Sequence, residues 1–204
     1  GGAPAILNAA NEMGGLPCRV EGKVGQGSNP EKLIIHQKAV GHVVGSALQG
    51  SSPGGFDCLP VGRMHAGKHN VQIVISDGLN ALSISDPGHL APFLEQLRAG
   101  LQKAGLSVAA ENLVFTTGRV RAGYRVGEAL FGGLAGKRTI VHVIGERPGT
   151  GHHTFSVYLT TADGETWGTR GKIDHQLTKV VSGIATTAVE PRAAADETVR
   201  LLAK

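Results

Sequence analysis

Val71-Gln72-Ile73-Val74-Ile75-Ser76-Asp77-Gly78 is the stretch that decides the fold. Its first five residues are a short, largely β-branched run without strict alternation, which reads as a strand buried on both faces. Ser76-Asp77-Gly78 then stops the strand and opens a loop. An Asp at such a strand end could serve as an acid or a ligand, but more often it caps the next turn.

The same pattern repeats downstream. Leu90, Phe93, Leu94, Leu97 and Leu101 fall on one face of a helix expected over 89–104, and Gly105 sits where a terminating glycine belongs. A second strand is expected over 113–117, ending at Gly118, followed by a short helix around 126–130. A third strand, 139–144, ends at Gly145, and a fourth covers 154–161. Helices are expected over 175–185 and 190–203. Apolar strands alternating with helices define an α/β class: a doubly wound, mostly parallel sheet with helices on both faces. In such sheets ligands bind beyond the carboxyl ends of the strands. Three small or Gly-rich loops lie there: Ser76 to Leu79, Gly118 to Val120, and Gly145 to Gly151.

Upstream the pattern is weaker. Residues 1–29 are Gly-rich, and Ser28-Asn29-Pro30-Glu31 is a helix start. Leu33, Ile34, Ala39, Val40, Val43, Val44 and Leu48 follow at helical spacing, ending at Gly50. Residues 50–70 read as a connector. The expected organisation is an N-terminal irregular and helical adapter over 1–70, with one helix, and an α/β domain over 71–204. The chain opens at Gly1-Gly2 without Met, so we expect it to be trimmed or the tail of a longer polypeptide.

Composition narrows the function classes. Hydrophobic residues are 41% and charged residues 18%, as in globular chains, which excludes a disordered or fibrous reading. Aromatics at 4% exclude a stacking platform for single-stranded nucleic acid. The net charge is +4, but the 20 Lys and Arg are dispersed, which argues against a nucleic-acid arm or a membrane-binding basic tag. No apolar run approaches the ~18 residues of a membrane span, and no signal peptide opens the chain. Cys18 and Cys58 read as reduced thiols.

Several motifs imitate chemistry. Gly62 to His69 resembles a phosphate loop, but His69 replaces the magnesium-binding hydroxyl and the segment precedes a strand. Gly50-Ser51-Ser52-Pro53-Gly54 matches a nucleophile elbow, but no strand precedes it. Cys58, His65 and His69 have spacing for a metal only on a helix, which Gly67 opposes. His152 and His153 are adjacent and point apart in extended backbone. Glu146-Arg147 before Pro148-Gly149 is different, because it sits at the carboxyl end of an apolar strand. It is either a local ion pair that shapes the loop or a polar loop that binds a ligand.

Val71 to Leu79 (VQIVISDGL), Gly118-Arg119-Val120, Val126-Gly127-Glu128 and Gly145 to Gly151 (GERPGTG) together resemble the small subunit of ethanolamine ammonia-lyase in order and spacing. Val181-Ser182-Gly183-Ile184 and the Ala-rich last helix are more weakly similar. The resemblance covers about residues 71–204. It implies adenosylcobalamin as cofactor and conversion of ethanolamine to acetaldehyde and ammonia by a radical rearrangement. It also implies a large barrel subunit as partner, separate or fused, which holds the substrate, so that the small subunit is inactive alone and carries no catalytic residue. The corrin contacts it implies here are Val120, Glu146 and Val180, the last at a position where the family often has Cys. It places the protein in the cytoplasm, with a bacterial microcompartment as the further expectation. Residues 1–70 do not match the helical N-terminal part expected of that subunit. Two competing readings are a scaffold that kept the fold and lost cobalamin, and a hydrolase using Ser52 and a His.

Overall fold

The computed structural model describes residues 42–46, 67–80, 82–116, 119–147 and 152–203. Six strands form one sheet: β1 (His42–Ser46), β2 (Val71–Ser76), β3 (Leu113–Thr116), β4 (Lys137–Gly145), β5 (Phe155–Asp163) and β6 (Thr178–Ile184). Their order across the sheet is β1-β3-β2-β4-β5-β6. The helices are α1 (Leu82–Ser85), α2 (Leu90–Lys103), α3 (Val120–Phe131), α4 (Gly164–Gly168) and α5 (Pro191–Leu202), with a 3-10 turn at His175–Leu177.

The α/β class holds, with helices on both faces, but the sheet is mixed. β1, β3, β2 and β4 run parallel, whereas β5 pairs antiparallel with β4 and β6 antiparallel with β5. The reason is connection length. Residues 146–154 link β4 to β5, too few for the dozen or more residues of a parallel crossover. The expected helix over 175–185 is likewise corrected to β6. Thr178, Val180, Val181 and Ile184 are β-branched, and pairing with β5 suits them better than a helix.

Most of the segment 1–70 lies outside the described residues, including Cys18, Ser52, Cys58 and His65. Within it, His42–Ser46 form a strand and not part of the expected helix. Val43 pairs with Val114 on β3, and that ladder overrides the helical spacing. His69 contacts Ser107 Oγ at 3.2 Å and its carbonyl accepts from Arg138 at 2.9 Å, so it braces a turn.

Two apolar layers sandwich the sheet. On one face Ile73, Ile75, Val141, Val143, Phe155, Val157 and Leu159 pack against Phe93, Leu94, Leu97 and Leu101 of α2 and Ala194 and Ala195 of α5. Helix α2 ends as expected: Leu106 N donates to Leu101 O and Gly105 N to Gln102 O, both at 3.0 Å, a Schellman closure. On the other face Val74, Leu113, Ile140 and Ala162 meet α3 and the buried Trp167 of α4. Helix α3 approaches the sheet closely at two glycines four residues apart. A Cβ on Gly123 would lie 2.6 Å from His142 Nδ1, and one on Gly127 would overlap the Trp167 ring. Among the described residues no helix is long and apolar enough to cross a membrane.

The loop after β2 leads to α1 and α2 on one face, and the loop after β3 leads to α3 on the other. This divergence at the carboxyl ends of neighbouring parallel strands creates the crevice where α/β sheets take ligands.

Candidate functional site

At the carboxyl end of β4 the chain is locked by backbone. Leu79 N donates to Gly145 O at 2.9 Å, and Asn80 N donates to Asp77 O at 3.0 Å. Gly78, at φ +59°, lies so close that a Cβ there would overlap Gly145 O; a Cβ on Gly145 would overlap the carbonyls of Asp77 and Asn80. The two most distinctive stretches of the sequence, SDGL and GER, therefore interlock. Glu146 leaves this joint with its backbone fixed, its N–H donating to Thr154 O at 3.0 Å.

The Glu146 side chain turns to Tyr158 on β5, whose hydroxyl donates to Oε1 at 3.1 Å. No ion pair joins it to the exposed Arg147, so of the two readings of this dipeptide the local ion pair is the one the structure lacks. Burial pushes the Tyr158 phenol up to about 12, helped by the charge and hydrogen bond of Glu146. It therefore stays a proton donor across the working range.

Tyr158 stands in a row across the sheet. Its neighbour on β4 is His142 and its neighbour on β6 is Val180, so the three side chains share a face. Val180 is 45% exposed, leaving an apolar side chain open beside Tyr158. Alongside, Thr160 and Thr178 share a hydrogen bond at 2.9 Å, and Thr178 is bonded in turn to Tyr124 of α3 at 3.1 Å. This network walls one side of the row.

His142 is fully buried and is bonded through Nε2 to Ser76 Oγ at 2.9 Å. Its Nδ1 has no hydrogen-bond partner of good geometry and faces the first turn of α3, against Gly123. Burial holds the imidazole down at about 3, with the backbone of Val120 pulling weakly the other way. Val120 is the first residue of α3 and half-buried at the edge of that core. Glu146 and Val180 thus meet at Tyr158, and Val120 joins them through His142. Tyr158 and His142 carry no signal in the sequence; Ser76 opens one of the three candidate loops, but its bond to His142 is visible only in the fold.

A pH dependence follows from His142. Unfolded histidine titrates near 6.5, so between that value and about 3 the unfolded chain takes up a proton that the folded chain does not. Stability is therefore lost as the pH falls through this window, by about 2 kcal/mol on going from pH 6.5 to 5. Thermal melts of the wild type and of His142→Gln over this range check it: the variant should show a flatter profile, and parallel profiles would count against the assignment.

His153 and His152 brace loops. His153 Nδ1 lies 2.7 Å from Asp86 Oδ2, and His152 Nδ1 lies 2.9 Å from Thr187 Oγ1. The adjacent pair serves different partners, as extended backbone dictates.

The fold and this corner define an α/β domain with a mixed sheet, carrying a carboxylate just past the end of β4 and an exposed Val180 on the same face of the sheet. Residues 58–204 match the family model described as ethanolamine ammonia-lyase light chain (EutC), and the chain belongs to that family. It is 36% identical over 100 residues to the ethanolamine ammonia-lyase small subunit of Xanthomonas campestris pv. campestris, covering 48% of this chain and 34% of that protein. It is 37% identical over 99 residues to the small subunit of the same name from Azotobacter vinelandii, with the same coverage. The matched part thus spans about a third of the length of these curated relatives.

Proposed function

We propose that this chain is the cofactor-facing part of the small subunit of an adenosylcobalamin-dependent ethanolamine ammonia-lyase. In this reading it closes one side of adenosylcobalamin against a large barrel subunit that holds ethanolamine, is inactive without that partner, and works in the cytoplasm or within a bacterial microcompartment. The observation that carries the reading is that residues far apart in sequence fall on one row: Glu146 and Val180 adjoin Tyr158, and Val120 lies against His142, the neighbour of Tyr158, on a face that is partly open.

The residues fit a corrin by their chemistry. A macrocycle with an apolar body and peripheral amides needs a surface such as Val180 and an acceptor such as Glu146 at its rim. Val120 would contact it from the start of α3. His142 would hold no part of the cofactor directly, because it is buried and its Nε2 is bonded to Ser76. When bound, adenosylcobalamin supplies the radical that starts the rearrangement. The chain itself would orient the corrin rim, accept a hydrogen bond from an amide N–H at Glu146 Oε2 and exclude water from its side of the cofactor.

In a complex reconstituted with a large subunit, Glu146→Ala should weaken cobalamin binding about ten- to hundredfold, the loss of one hydrogen bond to a charged group. Glu146→Gln should weaken it less. Melting temperature should move little in either, since the carboxylate is only half-buried. Unchanged affinity in both variants would falsify the clamp and favour a scaffold that no longer binds cobalamin.

A further inference from the structure

We infer that Tyr158 is the positioning residue of this site: its hydroxyl, donating to Glu146 Oε1 at 3.1 Å, fixes the carboxylate so that the free oxygen accepts from a ligand N–H or O–H. This rests on the cobalamin reading above and adds the residue that gives Glu146 its direction. The backbone of Glu146 is already immobile, because it is tied to Thr154 and follows the Gly78–Gly145 joint. Only its side-chain torsions remain free, and one hydrogen bond at Oε1 suffices to choose among them. The donor is itself immobile. The Tyr158 ring stands in the row between His142 and Val180, and His142 is pinned by Ser76 and by the first turn of α3. Without the hydroxyl, the carboxylate could swing towards Arg147, its exposed neighbour in the chain.

The consequence is selectivity by polarity. A phenol that remains protonated always occupies one oxygen as a donor. The site therefore offers a ligand an acceptor at a set place, which suits a primary amide presenting its N–H and opposes one presenting its carbonyl.

Cyanocobalamin binding, followed by absorbance on the complex of the full native chain with its large subunit, tests this through a double-mutant cycle. Tyr158→Phe keeps the ring and should weaken binding about three- to tenfold, with an unchanged melting temperature. On a Glu146→Ala background, Tyr158→Phe should add nothing, because its only route to the ligand is gone. Two independent losses that multiply in the double variant would show that Tyr158 acts structurally and would overturn the inference. So would full affinity in Tyr158→Phe while Glu146→Ala binds weakly, in which case the cobalamin reading survives alone. Full affinity in Glu146→Ala removes both.

Discussion

Trp167→Ala should lower stability by about 3–5 kcal/mol, the range for deleting a fully buried aromatic side chain. Trp167 is 0% exposed. Its ring fills the groove that Gly127 leaves in α3, stands edge-on to Phe131 at 5.8 Å, and donates from Nε1 to Arg138 O at 3.1 Å. Truncation opens a cavity beneath α3 that a helix cannot collapse into, because Gly127 offers no side chain to fill it. It also strips a carbonyl of its donor, at a further desolvation cost. Thermal unfolding should show a midpoint lower by roughly 6–20 °C. Trp167→Phe keeps a ring and should lose less. A midpoint unchanged in Trp167→Ala would mean that α4 does not anchor α3.

The second large effect belongs to Gly145. Gly145→Ala places a methyl group inside the carbonyls of Asp77 and Asn80. Side chains can rotate away from such an overlap, but these atoms are backbone at the end of β2. Overpacking of this kind costs about 3 kcal/mol, a midpoint shift of roughly 6–12 °C. The displacement runs straight into Glu146, so under the function proposed above cobalamin affinity of the reconstituted complex should fall in the surviving folded fraction as well. Trp167→Ala should spare affinity by comparison. The two variants thus distinguish damage to the support of the sheet from damage to the joint beneath the site. Equal stability of wild type and Gly145→Ala would show that the two loops do not interlock.

The parallel half of the sheet was legible because its signals are local. Val71 to Ile75 and Thr139 to Ile144 are largely apolar, β-branched runs, glycines close to their ends stop them, and the face of α2 repeats at helical spacing. The antiparallel half was not. Whether β5 turns back beside β4 depends on how few residues connect them, and β6 became a strand only because β5 was there to pair with it. The site divided in the same way. Val120, Glu146 and Val180 could be proposed as candidates from the family resemblance of the motifs around them. Tyr158 and His142 could not, because their importance comes from a register running over three strands, which no window of neighbouring residues contains. Tyr158 even sits in a run, Phe155 to Thr161, that looks like ordinary strand filler. The start of β1 shows the same limit in reverse: Val43 and Val44 have helical spacing with their neighbours, yet the edge of β3 takes them.

The antiparallel ladder makes the corner sensitive to parity. Adding residues to the connection between β4 and β5 leaves the odd–even phase of the ladder untouched, so that tip is free to lengthen or shorten over time. A single residue gained inside β5 before Tyr158 is another matter. It would swap the faces of everything that follows, sending the phenol to the α2 and α5 layer and presenting an aliphatic neighbour, Val157 or Leu159, to the carboxylate. Indels inside β5 are therefore all-or-nothing in their effect, whereas those in the connection between β4 and β5 leave the row of His142, Tyr158 and Val180 intact.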